Sequence, residues 1–469
     1  MLCWIAMAGL GLPSSAVSAR TADSASGLFA SESIHGGALT TADATGLLRT
    51  FVKGGSIDTS SAFFQSLGTN GRSCNTCHQM EAAWSITPDR IQARFDATDG
   101  TDPIFRTNDG SNSPDADVST VEARRTAYSM LLDHGVIRVG IGIPDNAEFS
   151  LTAVDDPYGY ASATELSLFR RPLPGTNLDF ITGVMWDGRE TVAPFLPPMD
   201  AGMTHADLVA SLTNQALGAI LGHAQAVTPP SDEALAEIVG VEMSFSTAQI
   251  RDNDAGPLNA DDAIGGPRIL ANQRYFVGLN DPLGGDPTGV EFDASAMTVF
   301  DGWDTPQSNR NSPRLAVIRG QALFNTKPIT ITGVAGLNDV LGDPSITGTC
   351  TTCHNTPNVG NHSTGAPLNI GVTDVSVRTP DMPLYTLTNN ITGESVQTTD
   401  PGMALITGRW VDIGKFKGPI LRGLAGRPPY FHNGMAATLA DAVDFYDTRF
   451  DIGFSEQEKQ DLVAFLRSL

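Results

Sequence analysis

Apolar spacing is clearest at the C-terminus. In SEQEKQDLVAFLRSL, Leu462, Phe465, Leu466 and Leu469 recur at helical spacing, and Ser455 with Glu458 forms a capping box ahead of them. Thr438 and Asp441 open TLADAVDFY with a variant of the same box. Helical spacing returns in RLAVIRGQALFN, in STVEARRTAYSMLLDHG and, more briefly, in SSAFFQSLG. Two long inserts stand out: about 85–165, where the polar, loop-like GTDPIFRTNDGSNSPDADVS precedes STVEARRTAYSMLLDHG, and about 226–318, rich in Gly, Pro, Asn and Asp. The pattern predicts a mainly α fold with long loop-rich inserts. At the other end, residues 2–12 read LCWIAMAGLGL, followed by Val17-Ser18-Ala19, a small-x-small cleavage pattern. The run is shorter than the ~20 residues a membrane-spanning helix needs. A signal peptide over 1–19 and an exported, periplasmic protein with no membrane span are expected.

Composition narrows the partners. Of 469 residues, 41% are apolar, enough for a substantial core, and Gly 48 with Pro 29 make the chain rich in turns. The formal charge is −23, although only 17% of residues are charged. Such a surface disfavours nucleic acid and anionic lipid.

The five cysteines change the picture most. If Cys3 leaves with the signal, four remain, in two identical spacings: Cys74-Asn-Thr-Cys77-His78 and Cys350-Thr-Thr-Cys353-His354. Cys-x-x-Cys-His is the attachment signature of c-type haem. Two thiols at this spacing each form a thioether with one haem vinyl, and the adjacent imidazole ligates the iron. Zinc is a weaker reading, because paired Cys-x-x-Cys motifs for zinc lie about 15–20 residues apart. Redox dithiols do not call for His after the second Cys. A disulfide within either pair would be strained. Two covalent haems are expected, with His78 and His354 as iron ligands. The fold then becomes two cytochrome-c-like haem domains, over 20–250 and 251–469.

Three further segments carry a resemblance. Met185-Trp-Asp-Gly-Arg189, Arg319-Gly-Gln-Ala-Leu-Phe324 and GPILRGLAGRPPYFHNG (418–434) followed by TLADAVDFY resemble, in this order, elements of the bacterial di-haem cytochrome c peroxidases. That superfamily includes the di-haem enzyme that matures the tryptophan tryptophylquinone of methylamine dehydrogenase. The resemblance implies that the N-terminal haem on Cys74, Cys77 and His78 reacts with peroxide. The C-terminal haem on Cys350, Cys353 and His354 would serve electron transfer, with Trp186 as the relay between them.

The departures from the family are specific. Tyr446 stands where the peroxidases place a Met ligand to the second iron, as it does in the quinone-maturing relative. A phenolate stabilises the higher iron oxidation state and lowers the potential; Met does the reverse. Met403 and Met435 are the alternative ligands. The family's displaceable distal His is missing, since no His lies between His78 and His134, so the first haem is expected to have an open position. His134 is expected to end a helix. The family's peroxide-pocket Gln corresponds to Gln215, and Gln225 falls where its carboxylate should be. Gln cannot exchange a proton during O–O cleavage, but His can, which makes His223 the candidate acid/base. The Asn that helps hold the family's inter-haem calcium corresponds to Arg171. The carbonyls of Arg427 and Pro429 could persist, so calcium and an arginine in its place are both open. His362 and His432 are expected near the second haem.

The leading expectation is a di-haem peroxidase-like oxidoreductase using hydrogen peroxide or dioxygen and a small redox protein or organic electron donor. The rivals are a di-haem oxygenase acting on an organic substrate and a non-enzymatic electron-transfer cytochrome.

Overall fold

The computed structural model describes residues 34–35, 37–192, 203–305 and 312–469. The expected signal peptide lies outside them. Among the described residues no helix is long and apolar enough to cross a membrane.

The expectation of a mainly α fold is overturned: 32% of the chain is helical and 17% is strand. Among the described residues all the sheets are antiparallel. Ala38–Ala42, Gly46–Val52, Phe245–Asp252 and Gly256–Pro257 form a four-stranded sheet in that order. Ser395–Thr398, Leu384–Asn389 and Phe149–Asp155 form a three-stranded one, which ties the first insert to the C-terminal half. Ile137–Ile141 pairs with Leu166–Arg170, and Ile329–Thr332 with Ser345–Gly348. The first insert thus supplies Ile137–Ile141 and Phe149–Asp155 and the second Phe245–Asp252 and Gly256–Pro257, short strands within stretches that read as loop. The strand Phe245–Asp252 runs through the boundary drawn at 250/251 and pairs with Gly46–Val52.

The helical expectations fare better. Leu439–Phe450 and Glu456–Arg467 carry both capping boxes, and Leu462, Phe465 and Leu469 are buried. STVEARRTAYSMLLDHG forms Val121–Ala127 and Ser129–His134, with His134 ending the second helix as expected. SSAFFQSLG yields only the short 3₁₀ turn Ala62–Phe64.

Helix Ser312–Thr326 shows why the RGQALF stretch is built as it is. A Cβ on Gly320 would lie 2.0 Å from the Asp461 carbonyl oxygen, so only glycine lets this helix reach Glu456–Arg467. Next to it, Arg319 grips the Asp461 carboxylate through Nε and Nη2, both at 2.7 Å. The core sealed by this crossing holds Phe300, Trp303, Phe324 and Phe465, and Cys350 packs against it.

Candidate functional site

The two Cys-x-x-Cys-His segments fold alike. Each is a single 3₁₀ turn, Cys74–Thr76 and Cys350–Thr352. The N–H of Ser73 donates to Thr76 Oγ1, and that of Thr349 to Thr352 Oγ1, both at 3.0 Å. His78 N–H donates to the Cys74 carbonyl (2.9 Å) and His354 N–H to the Cys350 carbonyl (3.0 Å), which closes each turn over its histidine.

The ring nitrogens are fixed too. His78 Nδ1 lies 3.0 Å from the Trp84 carbonyl and His354 Nδ1 2.7 Å from the Gly360 carbonyl. A carbonyl only accepts, so each Nδ1 carries the proton and each Nε2 keeps its lone pair. This is how metal-ligating histidines are held. Burial pushes both imidazoles down from their ordinary value, which keeps them neutral. Gly175 passes close by: a Cβ there would stand 3.2 Å from His78 Nδ1.

A cavity opens over the first turn. Cys74, Cys77 and His78 line it together with Trp186, Gln215 and His223, so three segments far apart in sequence meet there. Gln215 and His223 arrive on helix His205–Gly222 and its C-terminal cap, which turns Leu212, Gln215, Ala216, Ala219, Ile220 and His223 inward at helical spacing. Gln225 is not brought there. It takes the left-handed conformation (φ 56°) just past the helix end, and its Oε1 accepts from Asn70 Nδ2 at 3.3 Å.

Trp186 sits between the two halves. Its Nε1 donates to the Arg171 carbonyl at 2.8 Å, its ring centroid is 6.2 Å from that of His432, and Lys417 Nζ lies 5.7 Å from the ring centre. His432 thus packs against Trp186 and, at 4.2 Å, against Phe416. His362 is the one close to the second motif: it is buried, its Nδ1 bonds Asn355 Oδ1 at 3.1 Å, and its positive form would repel that of His354.

Among the described residues the Arg171 guanidinium pairs with no carboxylate. It donates to the carbonyls of Ile86 (2.7 Å), Arg427 (3.2 Å) and His134 (3.4 Å), a cage of oxygens of the kind a metal cation would take. His134 itself bonds Asp381 at 2.6 Å.

Tyr446 is half-buried on helix Leu439–Phe450. Desolvation first, and then the nearby Cys353 and Cys350, raise its phenol above the ordinary value. Met403 begins the helix Ala404–Thr407, and its N–H donates to the Lys415 carbonyl at 3.1 Å.

Do these residues fit haem? Besides the histidines, the cavity wall holds Arg171, Lys417, Arg422 and Arg427. Burial lowers these cations, to about 9 for Arg171, about 8 for Lys417 and about 10 for each of the other two. None forms an ion pair among the described residues, and Arg422 Nε, Arg422 Nη2 and Arg427 Nε have no hydrogen-bond partner. Buried cations left unpaired are costly, so an anionic group fits this wall. The propionates of haem are such groups, and the site fits the cofactor at both its iron and its acidic edge.

Three residues of the site escape sequence reasoning. Glu242 lines the cavity with an unpartnered Oε2, and burial pushes its carboxyl up to about 8. Asp109 and Arg72 stand behind His223: His223 Nδ1 bonds Asp109 Oδ2 and Arg72 Nη1 bonds Asp109 Oδ1, both at 2.5 Å. No periodicity marks Asp109, which lies in the polar stretch TNDGSNSPDAD.

Comparison with known proteins follows the same line. No family model matches the chain. It is 29% identical to the cytochrome-c peroxidase IdrP1 of Pseudomonas sp. (strain SCT) over 223 residues, 43% of this chain and 50% of that protein. It is 37% identical to the cytochrome-c peroxidase IdrP2 of Denitromonas iodatirespirans over 133 residues, 26% of this chain and 36% of that one. The chain thus spans half or less of the length of these curated relatives. A solved MauG-like protein associated with microbial copper homeostasis aligns over 87% of both chains, at 16% identity and a TM-score of 0.33. The sequence relatives bear out the resemblance to the cytochrome c peroxidase superfamily.

Proposed function

We propose that this relative of the cytochrome-c peroxidases carries two covalent haems c and reduces hydrogen peroxide at the first of them. One observation carries the reading: a single cavity joins the first attachment turn, with His78 presenting Nε2, to Gln215, His223 and Trp186. When bound, the haem supplies the iron position at which peroxide is held and the electrons that reduce it. Reduction of one peroxide to two waters takes two electrons and two protons. His223 shuttles the proton. Its Nε2 accepts from the oxygen that stays and donates to the oxygen that leaves as water, so the imidazole ends as it began. Gln215 has an amide that can hold the peroxide but cannot exchange its proton.

Trp186 carries electrons between the two halves in this reading. An indole is oxidised more readily than most side chains, and this one is held by its N–H on the Arg171 carbonyl. Cys350, Cys353 and His354 hold the second haem, with Tyr446 as its other iron ligand. The small redox protein or organic molecule that delivers the electrons docks elsewhere on the acidic surface.

The test is spectroscopic. The ferric holoprotein is expected to show one high-spin and one low-spin haem, and stoichiometric hydrogen peroxide is expected to bleach the ferric absorption at once. Two low-spin haems that ignore peroxide would overturn the proposal and favour an electron carrier. Oxygen-dependent change without response to peroxide would favour the oxygenase reading.

Arg171 takes the place of calcium in this proposal, because its guanidinium already occupies the carbonyl cage. Chelation by EGTA is therefore expected to leave both the melting temperature and the spectrum of the holoprotein unchanged. A fall of several degrees on chelation, reversed by calcium, would show that a metal is needed.

A further inference from the structure

We infer that Asp109, clamped by Arg72, is the positioning partner of His223 at the first haem cavity; this rests on the acid/base reading of His223 given above. Three segments build the unit. Arg72 comes from the residues just before the attachment turn, Asp109 from the polar loop of the first insert, and His223 from the end of helix His205–Gly222.

Arg72 is buried, at 4% exposure, and is fully engaged. Its Nε donates to the Pro103 carbonyl (2.8 Å), its Nη2 to Ile104 (2.6 Å) and its Nη1 to both Asp109 Oδ1 (2.5 Å) and the His223 carbonyl (3.1 Å). The Asp109 loop is pinned in turn by Arg138, whose N–H donates to the Asp109 carbonyl at 2.7 Å. Both Asp109 carboxylate oxygens are therefore used as acceptors. Burial alone would raise this carboxyl, but the His223 hydrogen bond and the Arg72 charge outweigh it and hold it below the ordinary carboxylate range. An ionised acceptor fixes the proton on His223 Nδ1 and leaves the Nε2 lone pair for the cavity. It also stabilises the imidazolium that forms while the proton is held. Arg72 lies two residues before Cys74, so the clamp sets the imidazole relative to the cofactor's own attachment point. The charged groups at His223 are Asp109 and Arg72, and His78 and Glu242 line the same cavity.

The experiment uses the ferric holoprotein and its variants Asp109→Asn, Asp109→Glu, His223→Gln and the double variant D109N/H223Q. Two quantities are read between about pH 5 and 8, the window in which an imidazole titrates. One is the rate of reaction with stoichiometric hydrogen peroxide. The other is the equilibrium affinity for fluoride, an anionic probe whose binding to a ferric haem is strengthened by a protonated neighbour. D109N is expected to slow peroxide by about 10²-fold, the low end of what an acid/base group supplies. It is also expected to move the midpoint of fluoride affinity to lower pH. In the H223Q background D109N should change neither quantity, because a positioning residue acts only through the residue it positions. D109E is expected to keep the wild-type fluoride midpoint and lose part of the rate, and it carries the test if D109N does not accumulate as holoprotein. Unchanged rate and midpoint in D109N, an additive loss in the double variant, or a wild-type rate in D109E would overturn the assignment. If the wild type ignores peroxide, the proposed function fails, and the fluoride midpoints alone still decide whether Asp109 acts through His223.

Discussion

The Tyr446→Phe holoprotein is expected to lose the low-spin signal of the second haem and to raise that haem's potential, while the first haem's spectrum stays as it was. The expectation follows from position. Tyr446 is half-buried on Leu439–Phe450 near Cys353 and Cys350, among the rings of Phe431, Phe445 and Phe450. Burial holds its phenol above the ordinary value, so a phenolate there needs a cation next to it, and ferric iron is one. Removing a hard anionic donor destabilises the ferric state, and axial ligands as a whole span roughly 0.8 V. Phe keeps the ring and its packing, so folding is little affected. Spectra and potentiometric titration of wild type and Y446F check this together. An unchanged low-spin signal would exclude Tyr446 as the ligand and return the question to Met403 and Met435.

The parts of the site legible in the sequence are those whose chemistry dictates local spacing. Two thioethers and an imidazole must come from five consecutive residues, so Cys74–His78 and Cys350–His354 stand out without any fold. Trp186, Gln215, His223 and Tyr446 came from motif resemblance, and the first three line one cavity. Asp109 was invisible because its meaning lies in contacts 114 and 37 residues away. The strands stay hidden in the sequence for a related reason. Phe245–Asp252 is buried on both faces except at Arg251, so its residues show no inside–outside alternation. Leu384–Asn389 finds its partner in Phe149–Asp155, more than two hundred residues earlier. Helices advertise themselves by period and cap, whereas these strands are defined by neighbours that no local window contains.

Arg170→Met is expected to cost about 3–5 kcal/mol, the penalty for breaking a buried ion pair by removing one partner. Arg170 is 2% exposed. Its Nε and Nη2 grip Asp400 at 2.7 and 2.9 Å, and its Nη1 bonds Asp187, which also holds Arg189 Nη1 at 2.9 Å. Asp187 follows Trp186, and Asp400 stands 3.8 Å from His432 Nε2, so one guanidinium joins the Trp186 loop to the C-terminal half. Met leaves Asp187 with Arg189 alone and strands Asp400, which keeps only His432 at 3.8 Å as a charged neighbour among the described residues. Against a typical total of about 5–15 kcal/mol, that is a large share. Lys keeps the charge but not the fork, so R170K should fall between the two. The acid response has a definite sign. Burial would raise the Asp187 carboxyl, but Arg170 and then Arg189 outweigh it and hold it below the ordinary value of about 4. Its contribution is complete above that value and is lost as pH falls below it. Without Arg170 the hold on the Asp187 carboxyl is gone, so the stability gap between wild type and R170M narrows as pH falls. Urea unfolding of wild type, R170M and R170K at neutral pH and near pH ~4 reads both effects. Equal midpoints for R170M and wild type would mean that this network does not hold the two halves together. Partial recovery in R170M/D187N/D400N, where the stranded charges are removed as well, would show that the loss in R170M came from the unpaired carboxylates and not from the missing side chain.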